Sequence, residues 1–319
     1  MIVRWGIDQV GPLLTELRIE RPLLVTSSRF ADVDVPVADR FSGVRRHSPL
    51  DAVAAATAAA AGSDGLVAVG GGSAIDTGKA VSAATGKPLV AIPTTYAGAE
   101  WTSYFGMRDE ARRAKTGGWG ANTAAVVYES ALTLDLPVAE TVGTALNALA
   151  HCAEALYAGP CDDATAGATL ISRALPEVVA NGRDVDARRR LLEGAMHAGM
   201  ALAERGLFLA HAMAQALGGR YGASHGALNA LCLAPALRFN EPVVPAAIAA
   251  LATAVDADDA PAHVEQLARL GGFERLRDLG IPGDEIDVVA VETAQRPGAR
   301  SNPRPASPEE IAALLRSIW

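Results

Sequence analysis

Residues 65–80 read GLVAVGGGSAIDTGKA: a short β-branched run, three consecutive glycines at Gly70, Gly71 and Gly72, and then a helical pattern. The run predicts a buried strand and the residues after it a helix over 73–85, with Ser73 as its N-cap and Asp76 three residues later in capping-box spacing. Three glycines let a backbone come close to a ligand, and the free N–H groups of a helix start suit a pyrophosphate. The turn matches neither common phosphate loop. Ala80 follows Lys79 where a Walker loop needs Ser or Thr, and Ile75 stands where G-x-G-x-x-G needs its last glycine. On spacing alone, a tight strand-to-helix turn without a ligand stays open beside the nucleotide reading.

Outward from this turn, strand candidates at 22–27, 66–69, 88–93 and 124–128 alternate with helical patterns, which indicates a parallel α/β sheet. After Pro137 the strand signals stop and Ala/Leu-rich segments with a 3.6-residue period take over. Helices are predicted at 138–158, 164–180, 187–205, 208–217 and 308–317, the last with Ser307 as N-cap and Pro308 as first helical residue. The expected organisation is an α/β dinucleotide-binding domain over residues 1–137 and an all-helical domain over 138–319, as 319 residues exceed what one core usually organises.

With 28 Lys and Arg against 36 Asp and Glu, the net charge of −8 argues against a nucleic-acid surface, so an anionic substrate needs a local basic pocket. Three scattered cysteines, Cys152, Cys161 and Cys232, form no disulfide framework and read as reduced cytosolic thiols. The opening MIVRWGIDQVGPLL lacks the apolar core of a signal peptide, and no apolar run approaches the ~20 residues of a membrane span. A cytoplasmic protein with no membrane partner is expected.

GGGSAID at 70–76 is similar to the pyrophosphate turn of the iron-containing alcohol dehydrogenase superfamily, and PTTYAGAEWT at 93–102 resembles the shorter second signature of its maleylacetate reductase branch. KTG at 115–117, YESALTLDLP ending at Pro137, LNALAHCAEALYA at 146–158, HAMAQALGGRYGASHGALN at 211–229 and SNPRP at 301–305 follow in the family's order. The resemblance implies the dehydroquinate synthase-like fold, an α/β nucleotide domain plus a helical domain, and a homodimer. It implies NADH or NADPH held by Gly70, Gly71, Gly72, Ser73, Asp76, Thr94, Thr95, Lys115 and Ser27, the last near the place where NAD-specific members carry Asp. With no carboxylate there and Arg29 close by, NADPH is expected to be accepted at least as well as NADH.

Asn147 and His151 stand i, i+4 on one helical face, and His211 and His225 lie fourteen residues apart across a glycine-rich bend. Metal-dependent members place an Asp and three His there to hold Fe or Zn. Here the Asp is Asn147, as in maleylacetate reductases, and the amide removes the charge that favours a divalent cation, so a bound metal is doubtful. His151, His211 and His225, with Tyr96 and Lys115, are the candidate catalytic residues. Gln215 replaces a further family His and cannot exchange a proton near neutrality, which leaves water or Tyr96 as relay. The short basic run Arg112, Arg113 and Lys115 is the expected contact for a carboxylated substrate. His47, His197 and His263 match no motif and read as surface or core residues.

The expected function is hydride transfer from NAD(P)H to a carboxylated unsaturated or carbonyl substrate, of the maleylacetate to 3-oxoadipate type. The alternatives are a metal-dependent alcohol or aldehyde dehydrogenase, a cofactor-binding protein that has lost catalysis, and a lyase related to dehydroquinate synthase.

Overall fold

A computed structural model describes residues 1–319 and divides the chain into two compact units, Met1–Thr133 and Leu134–Trp319. In unit 1, β1 (Ile2–Trp5), β2 (Pro22–Thr26), β3 (Asp39–Phe41), β4 (Gly65–Gly70), β5 (Leu89–Pro93) and β8 (Thr123–Tyr128) form a parallel six-stranded sheet of order β1-β8-β5-β4-β2-β3. The central strands β2, β4 and β5 are buried along their whole length, which is why they read as continuous apolar runs rather than as alternation. Helices α1 (Val10–Glu16), α2 (Leu50–Ala59) and α3 (Gly72–Thr85) connect them, and β6 (Phe105–Asp109) and β7 (Ala114–Gly118) pair as a separate antiparallel hairpin. Strands β1 and β3 escape sequence reading because they are short edges of four and three residues, and the hairpin because its AKTGG arm has no apolar face.

Unit 2 is all-helical: α4 (Val138–Ala155), α5 (Asp162–Ala180), α6 (Val185–Arg205), α7 (Leu209–Tyr221), α8 (His225–Asn240), α9 (Pro245–Ala254), α10 (Ala260–Arg269), α11 (Ile286–Ala294), α12 (Pro297–Arg300) and α13 (Pro308–Ser317). Ser307 caps α13 in a full capping box with Glu310, as its sequence signature predicts. Helix α4 packs against α5, α6 and α8, so its residues are buried on nearly every side. Small residues permit this. A Cβ on Gly226 would lie 2.5 Å from the carbonyl carbon of Gly143, and one on Gly167 would lie 2.8 Å from Cys152 Sγ. The backbones of α4 and the start of α8 therefore touch, which brings the polar residues one and two turns along α4 against those of α8. All three cysteines are free and buried, and no helix is long and apolar enough to cross a membrane.

Candidate active-site clusters

In unit 1 the glycine turn has a different reason at each position. Gly70 has φ +146°, closed to most side chains, and a Cβ on Gly71 would come within 2.8 Å of Thr95 Cγ2. At Gly72, the first residue of α3, a Cβ would meet nothing nearer than Ala97 Cβ at 3.9 Å. Protein packing does not require a glycine there. The vacant side-chain position at a helix N-terminus is what a closely approaching phosphate needs. The Thr94 N–H donates to Gly70 O at 3.0 Å and joins the carboxyl ends of β4 and β5, where ligands bind in open parallel sheets.

Ser73 is not the N-cap that its sequence position suggests. The helix starts one residue earlier with Gly71 as cap, and Ser73 Oγ instead accepts a 2.9 Å hydrogen bond from His47 N–H, while Ser48 Oγ donates to Ser73 O at 2.9 Å. His47 and Ser48 both have positive φ, 64° and 49°, strain that a non-glycine residue holds only where its surroundings fix it. The segment 47–48 thus clasps the start of α3. No sequence motif marks it; two adjacent non-glycine left-handed residues are visible only in the backbone.

Lys79, informative in the sequence only as a failed Walker lysine, is buried. Its ammonium group donates to Ala99 O at 2.6 Å, Tyr104 O at 2.5 Å and Thr102 Oγ1 at 3.2 Å and lies 3.3 Å from Asp76 Oδ1. It fastens the PTTYAGAEWT segment to α3. Below it, Tyr128 Oη donates to Glu100 Oε1 at 2.8 Å and accepts from Trp101 Nε1 at 2.8 Å, and burial raises the pKa of both Glu100 and Tyr128. Tyr96, expected as an alternative relay, is a wholly buried core side chain of this unit. Lys115 folds over Gly106, where an added Cβ would lie 3.0 Å from Lys115 Cε and 3.4 Å from Asp76 Oδ2, so both residues sit on one patch beside α3. Arg112 and Arg113 occupy the turn of the β6–β7 hairpin; the Arg112 side chain is 84% exposed and pairs only with Asp109, at 3.6 Å. Ser27 follows β2 in extended conformation, with the Arg29 guanidinium over the Phe30 ring.

In unit 2 the structure brings Asn147, His151, His211 and His225 together. The His151 and His211 rings stack with centroids 4.7 Å apart, and His211 and His225 lie 6.0 Å apart. Glu154, one turn beyond His151 on α4 and fully buried, caps α7. Its Oε1 accepts from Ala210 N at 2.8 Å and His211 N at 3.3 Å, and its Oε2 accepts from Phe208 N at 2.8 Å and meets His211 Nδ1 at 2.7 Å. A carboxylate can only accept, so Nδ1 carries a proton, and in the neutral form of the ring the lone pair is on Nε2. His211 Nε2 and His151 Nδ1 are both buried with no hydrogen-bond partner. Burial, and after it the neighbouring His211, holds His151 well below the usual imidazole range, so it is a neutral ring near pH 7. His197 pairs with Asp163 at 2.7 Å and His263 with Ser172 Oγ at 2.8 Å, each in a structural contact.

A buried Asn229 on α8 completes the cluster, and sequence reading missed it because an amide in an apolar helix carries no motif. Its Nδ2 donates to Asn147 Oδ1 at 2.7 Å and contacts His225 Nε2 at 3.1 Å. Two of the donor atoms that a cation would use, Asn147 Oδ1 and His225 Nε2, therefore already face one amide group, and none of the four residues is anionic. The residues in this arrangement do not fit a divalent cation. Replacing Asn147 with Asp restores an anionic donor beside three imidazoles. The N147D protein is expected to retain zinc through dialysis where the parent does not; stoichiometric, activity-linked metal in the parent by elemental analysis would contradict this.

Comparisons with known proteins give the family of the chain. The model of the iron-containing alcohol dehydrogenase matches residues 4–128, and that of the C-terminal part of the Fe-containing alcohol dehydrogenase family matches residues 141–319. The maleylacetate reductase of Pseudomonas knackmussii is 33% identical over 339 aligned positions, covering 99% of this chain and 95% of the relative, and maleylacetate reductase 1 of Rhodococcus opacus is 34% identical over 315, covering 94% and 88%. Among solved structures, the maleylacetate reductase of a Rhizobium species superposes with a TM-score of 0.90 at 30% identity, over 100% of this chain and 95% of that one. The chain belongs to the iron-containing alcohol dehydrogenase family. It is an oxidoreductase, a reductase of the type that these relatives represent.

Proposed function

We propose that the protein reduces maleylacetate to 3-oxoadipate with NADPH or NADH. The observation that carries this reading is the Asn147, His151, His211 and His225 cluster, whose shared donors include no carboxylate, in a chain similar to maleylacetate reductases from end to end. The residues around Gly70–Gly72, with Ser73, Asp76, Thr94, Thr95 and Lys115, fit a dinucleotide: a helix start, an unfilled side-chain position at Gly72 and one flanking ammonium group. A bound reduced nicotinamide supplies hydride to the carbon–carbon double bond of the acceptor.

The chain's own residues then have two tasks. The first is to hold the acceptor's conjugated ketone where the negative charge of an enolate develops, with imidazole N–H groups of the cluster as the donors that face it. The second is to deliver a proton: His211 Nε2, with the other nitrogen fixed by Glu154, takes up a proton from water and gives it to the α-carbon of the enolate, so that hydride and proton together complete the reduction. Gln215 on the next turn of α7 cannot do this. The test is oxidation of NADPH and NADH by purified protein against maleylacetate, small aldehydes and keto acids. Turnover with maleylacetate alone supports the reading, and turnover restricted to aldehydes with added metal supports a metal-dependent dehydrogenase instead.

Cofactor preference follows from Ser27, which offers no carboxylate to repel a 2′-phosphate. NADPH is expected to serve at least as well as NADH. A kcat/KM for NADH more than about tenfold higher, ~1.4 kcal/mol, would contradict this. We also propose that the protein is a homodimer, a point that light scattering decides.

A further inference from the structure

Several arginines of unit 2 pair with carboxylates, Arg220 at 2.7 Å from Glu285 and 3.0 Å from Glu292, Arg183 at 2.9 Å from Asp135 and Arg316 at 2.6 Å from Asp287, and the buried Arg188 donates to Gly182 O at 2.8 Å. Arg296, just before α12, meets no carboxylate. Its Nη1 reaches only the amide oxygen of Gln215, at 3.5 Å, and its Nε is buried with no partner. Burial lowers its pKa from the ordinary guanidinium value, with Glu292 only partly offsetting this. A half-buried guanidinium with no carboxylate in hydrogen-bond contact is costly to hold, and a ligand carboxylate would supply that contact.

Its position is next to the histidine cluster. Gln215 is one turn beyond His211 on α7, on the same face, so the guanidinium that touches Gln215 is about one helical pitch, roughly 5 Å, from the His211 position along the helix. The segment is fixed there. A Cβ on Gly298 would lie 2.7 Å from Phe208 O, and the Phe208 N–H is itself held by Glu154. The same carboxylate therefore anchors the chain start against which Arg296 is keyed and the imidazole beside it. The hairpin arginines Arg112 and Arg113 are exposed.

We propose that Arg296, braced by Gln215, binds a carboxylate of the acceptor and selects acidic substrates. The proposal rests on the reductase reading above and names the group that recognises its substrate class. Gln215 accepts from the guanidinium and keeps an N–H pair to donate to the same carboxylate, a task that a charged imidazolium would complicate by repelling Arg296.

The test compares the parent with R296Q and R296K, each with cofactor bound. It measures calorimetric affinity for 3-oxoadipate and for glutarate, a dicarboxylate that cannot turn over, and the KM for maleylacetate. R296Q is expected to weaken both dicarboxylates and raise KM by about 10–100-fold with NADPH affinity within twofold of the parent, and R296K to fall between, because an ammonium group is a point charge without the guanidinium fork. Dicarboxylate affinities within twofold of the parent in R296Q, an equal loss of NADPH affinity, or a parent that binds neither dicarboxylate would overturn the proposal. A parent that binds both through Arg296 but reduces no maleylacetate would sustain it and remove the functional reading instead.

Discussion

Glu154→Gln is expected to lower kcat by about 10²–10⁴-fold, the range attributed to a positioned acid or base, with cofactor affinity within twofold of the parent. The amide has one acceptor oxygen and one donor nitrogen in place of two acceptor oxygens. Turning the nitrogen toward Ala210 and His211 leaves two backbone N–H groups facing a donor, whereas turning it toward His211 Nδ1 leaves only Phe208 N–H without an acceptor. The second orientation is cheaper, since each orphaned buried donor costs about 1–3 kcal/mol. That orientation makes Nδ1 the acceptor and moves the ring proton to Nε2, so the lone pair that faces the cluster is lost. Imidazole ¹⁵N shifts separate this from a merely structural effect. The parent should show His211 protonated at Nδ1 and E154Q at Nε2; an unchanged tautomer with unchanged kcat would remove Glu154 as the residue that positions His211.

Gly72→Val is the second large effect. Because a Cβ at this place meets only Ala97, at 3.9 Å, the fold should accept the side chain, and Gly72→Ala should hold or slightly raise Tm by removing glycine's freedom in the unfolded chain. A bound pyrophosphate would instead meet the new methyl groups. Cofactor Kd is expected to rise about 100-fold in G72V, ~2.7 kcal/mol, and less in G72A. Gly71→Val makes the contrast, since its Cβ would strike Thr95 Cγ2 at 2.8 Å and should cost stability as well as binding. Equal NADPH affinity in G72V and the parent, by fluorescence titration, would place the pyrophosphate elsewhere.

What the sequence made legible follows from how each signal arises. The apolar runs that became β2, β4, β5 and β8 and the capping box at Ser307 are local, so pattern alone found them. Asn147 and His151 were legible as a pair because i, i+4 spacing is itself a contact rule. The seat of His211 was not: it depends on Glu154 crossing from α4 to α7 and on the Gly143–Gly226 approach that sets α8 against α4, separations of dozens of residues that carry no periodicity. Asn229, Arg296 and the His47–Ser48 clasp escaped for the same reason. The misplacement of the α3 N-cap at Ser73 came from letting side-chain chemistry decide a helix start that backbone freedom at Gly71 and Gly72 moved one residue earlier.

The reduction of maleylacetate with NADPH or NADH deuterated on the transferred position tests the central claim most directly. The account predicts one 3-oxoadipate formed per nicotinamide oxidised, the ketone intact and the deuterium on the former alkene carbon remote from it. Deuterium on a carbinol carbon, or no cofactor oxidation with this acceptor, would contradict it.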